Sequence, residues 1–121
     1  MNGVGATVLV VEDEALIRFA IADELRAAGY TVAEARDADE AIDLLETHPE
    51  IRLVFTDIDM PGSMDGIRLS AVVADRWPPV RIVVTSGKGA PAAGVLPGGS
   101  RFLAKPYTPH GVLDVVRAML A

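Results

Sequence analysis

The sequence predicts an α/β domain in which a parallel sheet is covered by helices on both faces. Short runs rich in β-branched residues alternate with segments of helical periodicity along the whole chain. A chain of 121 residues, half of them apolar, has the size of one domain with one core, so residues 1–121 are expected to form a single domain. Because a right-handed crossover lays its helix over the strands it joins, this alternation favours a doubly wound sheet.

Five segments have the composition and length of strands. They are short and rich in β-branched residues, and helical patterns separate them. The predicted strands are Thr7 to Val11, Tyr30 to Ala35, Ile51 to Asp57, Val80 to Thr85 and Arg101 to Ala104.

The first two helices are indicated by apolar residues at helical spacing and by residues suited to helix ends. Gly29 follows helix one, where a residue tolerant of the left-handed conformation is needed. Asp37 with Glu40 resembles a capping box that begins helix two, and Pro49 prevents its continuation. The apolar faces are Ile17, Ile21, Leu25 and Ala28 in helix one, and Ala38, Ile42 and Leu45 in helix two.

Two further helices complete the alternation. Helix three is predicted from Ile67 to Trp77, because Pro78 and Pro79 stop it. Thr108 as N-cap and Pro109 at the first helical position begin the last helix. The buried stripe of that last helix consists of Val112, Val116, Met119 and Leu120.

The stretch from Ser86 to Ser100 departs from the alternation. It contains five glycines and two prolines where a helix is expected between the fourth and fifth strands. Backbone entropy and missing donors disfavour a regular helix there, so this helix is predicted to be short or absent. At most, Ala92 to Leu96 forms a turn.

Charge and composition exclude several classes of function. The net charge of -6, spread along the chain, disfavours direct contact with nucleic acid or an anionic membrane. The absence of cysteine rules out disulfides, thiolate chemistry and a cysteine zinc site. Met1 to Ala6 lacks the cationic region of a signal peptide, and the apolar run after it is too short to span a membrane. A cytoplasmic protein is therefore expected.

Polar residues are expected to gather at the carboxyl ends of the strands, where open α/β sheets bind ligands. The candidates are Glu12 and Asp13 after strand one, Asp57 at the end of strand three, Thr85 and Ser86 in strand four, and Lys105 after strand five. Three carboxylates forced together favour a hard divalent cation with oxygen ligands, for which magnesium is the natural choice. A lysine and a hydroxyl facing the same point suit a phosphoryl group, with Asp57 as the nucleophile.

These residues also carry a family resemblance. The motifs are Val-Val-Glu-Asp-Glu at 10–14, Asp57 with Met60-Pro61 and Asp65-Gly66, Val-Val-Thr-Ser at 83–86, and Lys105-Pro106. In this order, and over nearly the whole chain, they resemble the motifs of receiver domains of two-component response regulators. The resemblance implies the flavodoxin-like receiver fold, with strand order 2-1-3-4-5.

The resemblance also implies a role for each matching residue. Asp57 would accept the phosphoryl group, Thr85 would be the switch hydroxyl, and Phe102 would be the aromatic residue that turns inward after phosphorylation. The implied magnesium ligands are Glu12, Asp13, Asp57 and the backbone carbonyl of Asp59. The implied phosphate contacts are Thr85, Ser86 and Lys105.

The implied partner is a sensor histidine kinase or a histidine phosphotransfer protein, whose phosphohistidine donates the phosphoryl group; a small acyl phosphate is an alternative donor. The domain would catalyse only its own phosphorylation and dephosphorylation, so no enzyme acting on a separate substrate is expected. The sequence ends with the helix that completes the fold, so no effector domain is expected. The signal would leave through contact with a downstream protein target.

Three features depart from the family pattern. Glu12 stands where many receivers have aspartate, and its longer arm can also reach a metal through water. The loop from Met60 to Gly66 is one residue longer than the commonest spacing, which a loop absorbs cheaply. Asp59 stands where its carboxylate can border the path of the attacking water.

Two other functions remain open at this stage. Thr56-Asp57-Ile58-Asp59 resembles the Asp-x-Asp motif of haloacid dehalogenase-type phosphatases, although a complete strand-helix pair precedes it and no cap domain fits in the chain. The second is a binding module of the receiver fold without regulated phosphorylation, which Glu12 and the short or absent fourth helix favour and the intact Asp57, Thr85 and Lys105 oppose.

Overall fold

The computed structural model describes residues 5–121; the first four residues, part of the segment where no signal peptide is predicted, lie outside it. In chain order the elements are β1 (Thr7–Val11), α1 (Ala15–Ala27), β2 (Thr31–Ala35), α2 (Ala38–Thr47), β3 (Ile51–Asp57), α3 (Gly66–Arg76), β4 (Arg81–Ser86), β5 (Arg101–Ala104) and α4 (Pro109–Leu120). Each predicted strand agrees with the structure to within one residue at either end. No helix in the described part of the chain is long and apolar enough to cross a membrane.

The five strands form one parallel sheet in the order β2-β1-β3-β4-β5, which confirms the predicted fold. In the pairing of β3 with β4, Asp57 lies opposite Thr85. In the pairing of β4 with β5, Ser86 lies opposite Ala104, the residue before Lys105. The register therefore brings the carboxyl ends of three strands together at one edge.

The sheet separates two layers of core, because successive residues of a strand face opposite sides. On one side, α2 and α3 cover a layer to which β1, β3 and β4 contribute Leu9, Val11, Val54 and Val84. On the other side, α1 and α4 cover a layer to which the same strands contribute Val8, Val10, Phe55 and Val83. These strands are buried on both faces, and they give the carboxyl edge a rigid base.

The helix ends follow the predicted chemistry. Asp37 accepts a hydrogen bond from the backbone N–H of Glu40 at 2.9 Å, and Thr108 caps α4 in the same way. The Glu40 carboxylate accepts from the N–H of Arg36, the residue before the cap, so the reciprocal bond of the capping box is displaced by one residue. Gly29 follows α1 with φ +102°, the left-handed conformation that its position predicts.

The segment from 87 to 100 contains no helix, as its glycines and prolines predict. Its two turns are closed by hydrogen bonds from Val95 N–H to the Ala92 carbonyl and from Ser100 N–H to the Pro97 carbonyl, both at 3.1 Å. Leu96 packs against the core layer on the α3 side. The connection between β4 and β5 is therefore an irregular loop that packs on the α3 side of the sheet, where a helix is expected.

Candidate functional site

Asp57 ends β3 as a buried carboxylate with 3% of its surface exposed. Its Oδ2 accepts a hydrogen bond from Lys105 Nζ at 2.7 Å, and its Oδ1 accepts one from the backbone N–H of Asp59 at 3.0 Å. Each oxygen keeps a further lone pair, since a carboxylate oxygen accepts more than one hydrogen bond. The carboxylate is thus fixed in position and still able to react.

Lys105 follows β5, and its ammonium group reaches across to β3. Burial lowers the pKa of Lys105, but the hydrogen bond and the negative charge of Asp57 outweigh it, so the net shift is upward. Lys105 therefore remains a cation at neutral pH beside a buried anion.

Glu12, Asp13 and Asp57 form an acidic cluster in which one oxygen from each side chain lies within 4.8 Å of the others. Glu12 is buried; its Oε2 accepts from the N–H of Glu14 at 2.9 Å, and its Oε1 is enclosed without a hydrogen-bond partner in the described residues. Burial raises the pKa of Glu12 to about 7; the Glu14 N–H opposes this shift, and the neighbouring Asp13 side chain and the charge of Asp57 add to it.

This cluster fits a divalent cation. A buried carboxylate oxygen without a donor is costly, and a metal ion would both satisfy it and remove the repulsion between the carboxylates. Oxygen donors alone are the ligand set that magnesium prefers. Glu12 reaches the cluster with its own carboxylate, while the Asp59 carbonyl as a fourth ligand stays a prediction.

Thr85 faces the same point from β4. Thr85 is fully buried, and its Oγ1 has no hydrogen-bond partner within the described chain. Its carbonyl accepts from the N–H of Ile58 at 2.8 Å, which fixes the backbone of β4 against the residue after Asp57. Thr85 therefore offers a free hydroxyl donor beside the carboxylate.

Ser86 is engaged differently from Thr85. Its Oγ donates to Asp59 Oδ2 at 2.9 Å and accepts from the N–H of Lys88 at 3.0 Å. Lys88 Nζ lies 3.6 Å from Asp59 Oδ1, although the Lys88 side chain is 82% exposed. Sequence reasoning placed Ser86 at the site but missed the contact of Lys88, because no motif marks a residue in an irregular loop.

The start of α3 explains the Asp65-Gly66 motif. Asp65 caps the helix by accepting from the N–H of Arg68 at 2.9 Å. Gly66 donates to the Ile58 carbonyl at 3.0 Å, and a β-carbon on Gly66 would collide with the backbone carbonyl of Asp57. Only a glycine lets α3 begin this close to the strand that carries Asp57.

Two aromatic residues flank the site. Phe102 lies opposite Val84 in the β4–β5 pairing, is half-buried, and packs against the α3-side core; its predicted inward movement stays a prediction. Tyr107 was missed by sequence reasoning. Its ring meets Phe55 edge-on at 5.9 Å, its hydroxyl is enclosed without a partner in the described residues, and burial raises its pKa.

A parallel sheet in the order 2-1-3-4-5, with polar residues at the carboxyl ends of β1, β3 and β4, defines a doubly wound α/β domain of the flavodoxin-like class. Within that class, the chain belongs to the response regulator receiver domain family, whose family model matches residues 8–117. This match leaves the haloacid dehalogenase alternative without support.

Among its curated relatives are the response regulator protein FleR of Pseudomonas aeruginosa, 32% identical over 114 residues, and the chemotaxis protein CheY of Thermotoga maritima, 34% identical over 117 residues. The matched region is 92% of this chain and 24% of FleR, but 93% of this chain and 95% of CheY. The sensor kinase CckA of Brucella abortus is 35% identical over 119 residues, which are 95% of this chain and 12% of CckA. The chain thus spans a minor part of FleR and CckA and nearly all of CheY.

Solved structures give the same assignment. A response regulator receiver protein from Sinorhizobium medicae superposes with a TM-score of 0.84 at 28% identity, covering 96% of this chain and 94% of that one. The chemotaxis response regulator CheY4 of Vibrio cholerae superposes with a TM-score of 0.84 at 26% identity, covering 96% and 99%.

Proposed function

We propose that the chain is a phosphorylated signalling domain of a two-component system, with Asp57 as the phosphoacceptor. The observation that carries the proposal is the environment of Asp57, a buried carboxylate that accepts a 2.7 Å hydrogen bond from Lys105 and shares an acidic cluster with Glu12 and Asp13. Receiver domains of response regulators interact with sensor kinases, which supports a sensor histidine kinase or a histidine phosphotransfer protein as the donor.

In the forward reaction, an Asp57 oxygen forms a bond to phosphorus as the bond from phosphorus to the donor's histidine nitrogen breaks. With a small acyl phosphate, the bond that breaks is the one to the acyl oxygen, and the electron pair leaves with the carboxylate. Lys105 is placed to offset the charge of the phosphoryl oxygens, and the Thr85 hydroxyl has its donor free for one of them.

A magnesium ion would be held by Glu12, Asp13 and Asp57, together with the Asp59 carbonyl. When bound, it supplies positive charge that neutralises the clustered carboxylates and the phosphoryl oxygens. Ser86 would have to leave its hydrogen bond with Asp59 before its hydroxyl could contact the phosphoryl group.

In the reverse reaction, water attacks phosphorus, the bond to the Asp57 oxygen breaks, and inorganic phosphate leaves. The domain acts only on its own aspartate in both directions, so it is not an enzyme with a separate substrate. The signal passes by protein contact to a downstream target, with Thr85 and Phe102 as the residues that respond to the phosphoryl group.

The test uses intact-mass measurement of the protein after incubation with magnesium and a small acyl phosphate. A single phosphoryl adduct is expected in the wild type and in Asp23→Asn, a control that removes an exposed carboxylate of α1. The adduct should be lost in Asp57→Asn and in the absence of magnesium. If the wild type forms no adduct, and beryllofluoride causes no change in its amide spectrum, the chain is instead a receiver-fold binding module without regulated phosphorylation.

A further inference from the structure

A cavity of about 600 Å³ lies at the amino ends of β3 and β4, the edge of the sheet opposite to Asp57. Arg52 of β3 and Arg81 of β4 line one part of it, and the turn from Pro97 to Ser100 lines another. The volume lies within the range of small-molecule sites in proteins. No residue of the proposed phosphorylation site contributes to this cavity.

The two arginines are exposed, and neither forms an ion pair with any residue in the described part of the chain. By contrast, Arg18 and Arg76 pair with glutamates on neighbouring elements. Two arginines that line one cavity without carboxylate partners concentrate positive charge there, and this charge favours an anion. The planar fork of a guanidinium matches the oxygens of a phosphate, which it binds through two parallel hydrogen bonds.

The turn on the other side supplies further donors. Its Gly98 and Gly99 N–H groups have no hydrogen-bond acceptor within residues 5–121, and Gly99 has φ +85°. Successive amides next to a left-handed residue form a concave surface that attracts anions. The Oγ of Ser100, the next residue of the turn, is enclosed and also lacks a partner among the described residues.

We propose that this cavity binds a phosphorylated small molecule. The phosphate is held by the guanidinium groups of Arg52 and Arg81 and by the free amides of the Gly98–Gly99 turn, and the remainder of the molecule fills the cavity. A polyanion such as nucleic acid is disfavoured, because the rest of the chain is acidic and the net charge is -6.

The site depends on the irregular connection between β4 and β5. In a regular helix the amides beyond the first turn bond to carbonyls within the helix, so a helix here would leave fewer donors for a ligand. The glycines and prolines from 87 to 100 therefore prevent a helix and also leave backbone N–H groups free to bind a ligand.

The test is a titration of the whole ¹⁵N-labelled chain, without magnesium, with adenosine monophosphate, inorganic phosphate and adenosine. We expect adenosine monophosphate and phosphate to shift the amides of Gly98, Gly99 and Ser100 with saturation, and adenosine to shift none of them. Trp77 gives a second signal, because it directly precedes the cavity residues Pro78 and Pro79.

Arg52→Ala and Arg81→Ala should each weaken adenosine monophosphate binding about tenfold or more. Arg68→Ala is the matched control, since Arg68 is exposed on α3 and outside the cavity. Asp57→Asn should bind as the wild type does, which separates this site from the carboxyl edge. Should Arg52→Ala or Arg81→Ala unfold, the corresponding lysine variant keeps the charge, loses the guanidinium fork and is expected to bind more weakly than the wild type.

Three results would each overturn the proposal. The first is an absence of shifts at Gly98, Gly99 and Ser100 at millimolar ligand. The second is an equal shift with sodium chloride at matched ionic strength, which would mean charge screening alone. The third is an equal loss of binding in Arg68→Ala and in the two cavity variants.

Discussion

The two edges of the sheet carry opposite charge, although the same strands form both. β3 and β4 place Asp57 and Thr85 at the carboxyl edge, and they carry Arg52 and Arg81 within their first two residues at the amino edge. At the carboxyl edge, Lys105 offsets the carboxylates. At the amino edge, the arginines have no carboxylate partner in the described chain. Negative charge is therefore concentrated at the carboxyl edge, where a lysine of the same chain offsets it. Positive charge is concentrated at the amino edge, where it faces solvent or a ligand.

The edges differ in packing as well. At the carboxyl edge, α3 begins so close to β3 that Gly66 has no room for a β-carbon. At the amino edge, Gly98 and Gly99 have open space around the position of a β-carbon. The carboxyl edge thus has no room for a β-carbon at Gly66, whereas the amino edge has room for one at Gly98, whose φ is not positive.

The largest expected effect is on the rate of phosphoryl-adduct formation, and it distinguishes the two lysines of the chain. Lys105→Met should slow adduct formation with a small acyl phosphate about a hundredfold or more, because the charge beside the Asp57 carboxylate is lost. Lys88→Met should change the rate less than about threefold, since an exposed ion pair contributes little. Initial rates from intact mass measure both, and similar losses in the two variants would contradict a specific role for Lys105.

The second prediction compares the two edges by adding one methyl group to each. Gly66→Ala should lower the free energy of unfolding by about 1–3 kcal/mol, because the β-carbon collides with the Asp57 backbone. Gly98→Ala should change it by less than about 0.5 kcal/mol, since its β-carbon meets open space and its φ is not positive. Urea unfolding measures both free energies. A larger loss of stability in Gly98→Ala than in Gly66→Ala would contradict tighter packing at the carboxyl edge.

The fold and the carboxyl edge were accessible to sequence reasoning because local signals and motif order agree there. Strand composition predicted all five strands, and residues that end strands of a parallel sheet must meet at one edge. Asp57, Lys105 and the acidic cluster were found in this way, and the structure brings them together.

The amino edge could not be predicted in the same way. Arg52 and Arg81 lie far apart in sequence, and each taken alone is an ordinary surface charge. Only the register of β3 with β4, together with the path of the turn before β5, places them beside one cavity. Tyr107 and Lys88 were missed for a related reason, since their contacts depend on loop conformation rather than on periodicity.

The carboxyl edge should also respond to pH through Glu12. Burial raises the pKa of this carboxyl to about 7, so at pH 6 a proton competes with a bound cation and at pH 8 it does not. We expect magnesium to bind about tenfold more weakly at pH 6 than at pH 8, and isothermal titration calorimetry at the two pH values measures the difference.

Glu12→Gln isolates this group, because the variant keeps both exposed histidines and loses only the titrating carboxyl. Its magnesium affinity should be lower overall and nearly constant from pH 6 to 8; a pH dependence as steep as in the wild type would assign the proton to another group. Without metal, the raised pKa makes the folded wild type lose stability as pH rises from the ordinary range of a glutamate through 7, since the buried carboxyl must ionise. The metal-free Glu12→Gln variant should lack this loss, so its advantage in thermal midpoint over the wild type should grow from pH 5 to pH 8.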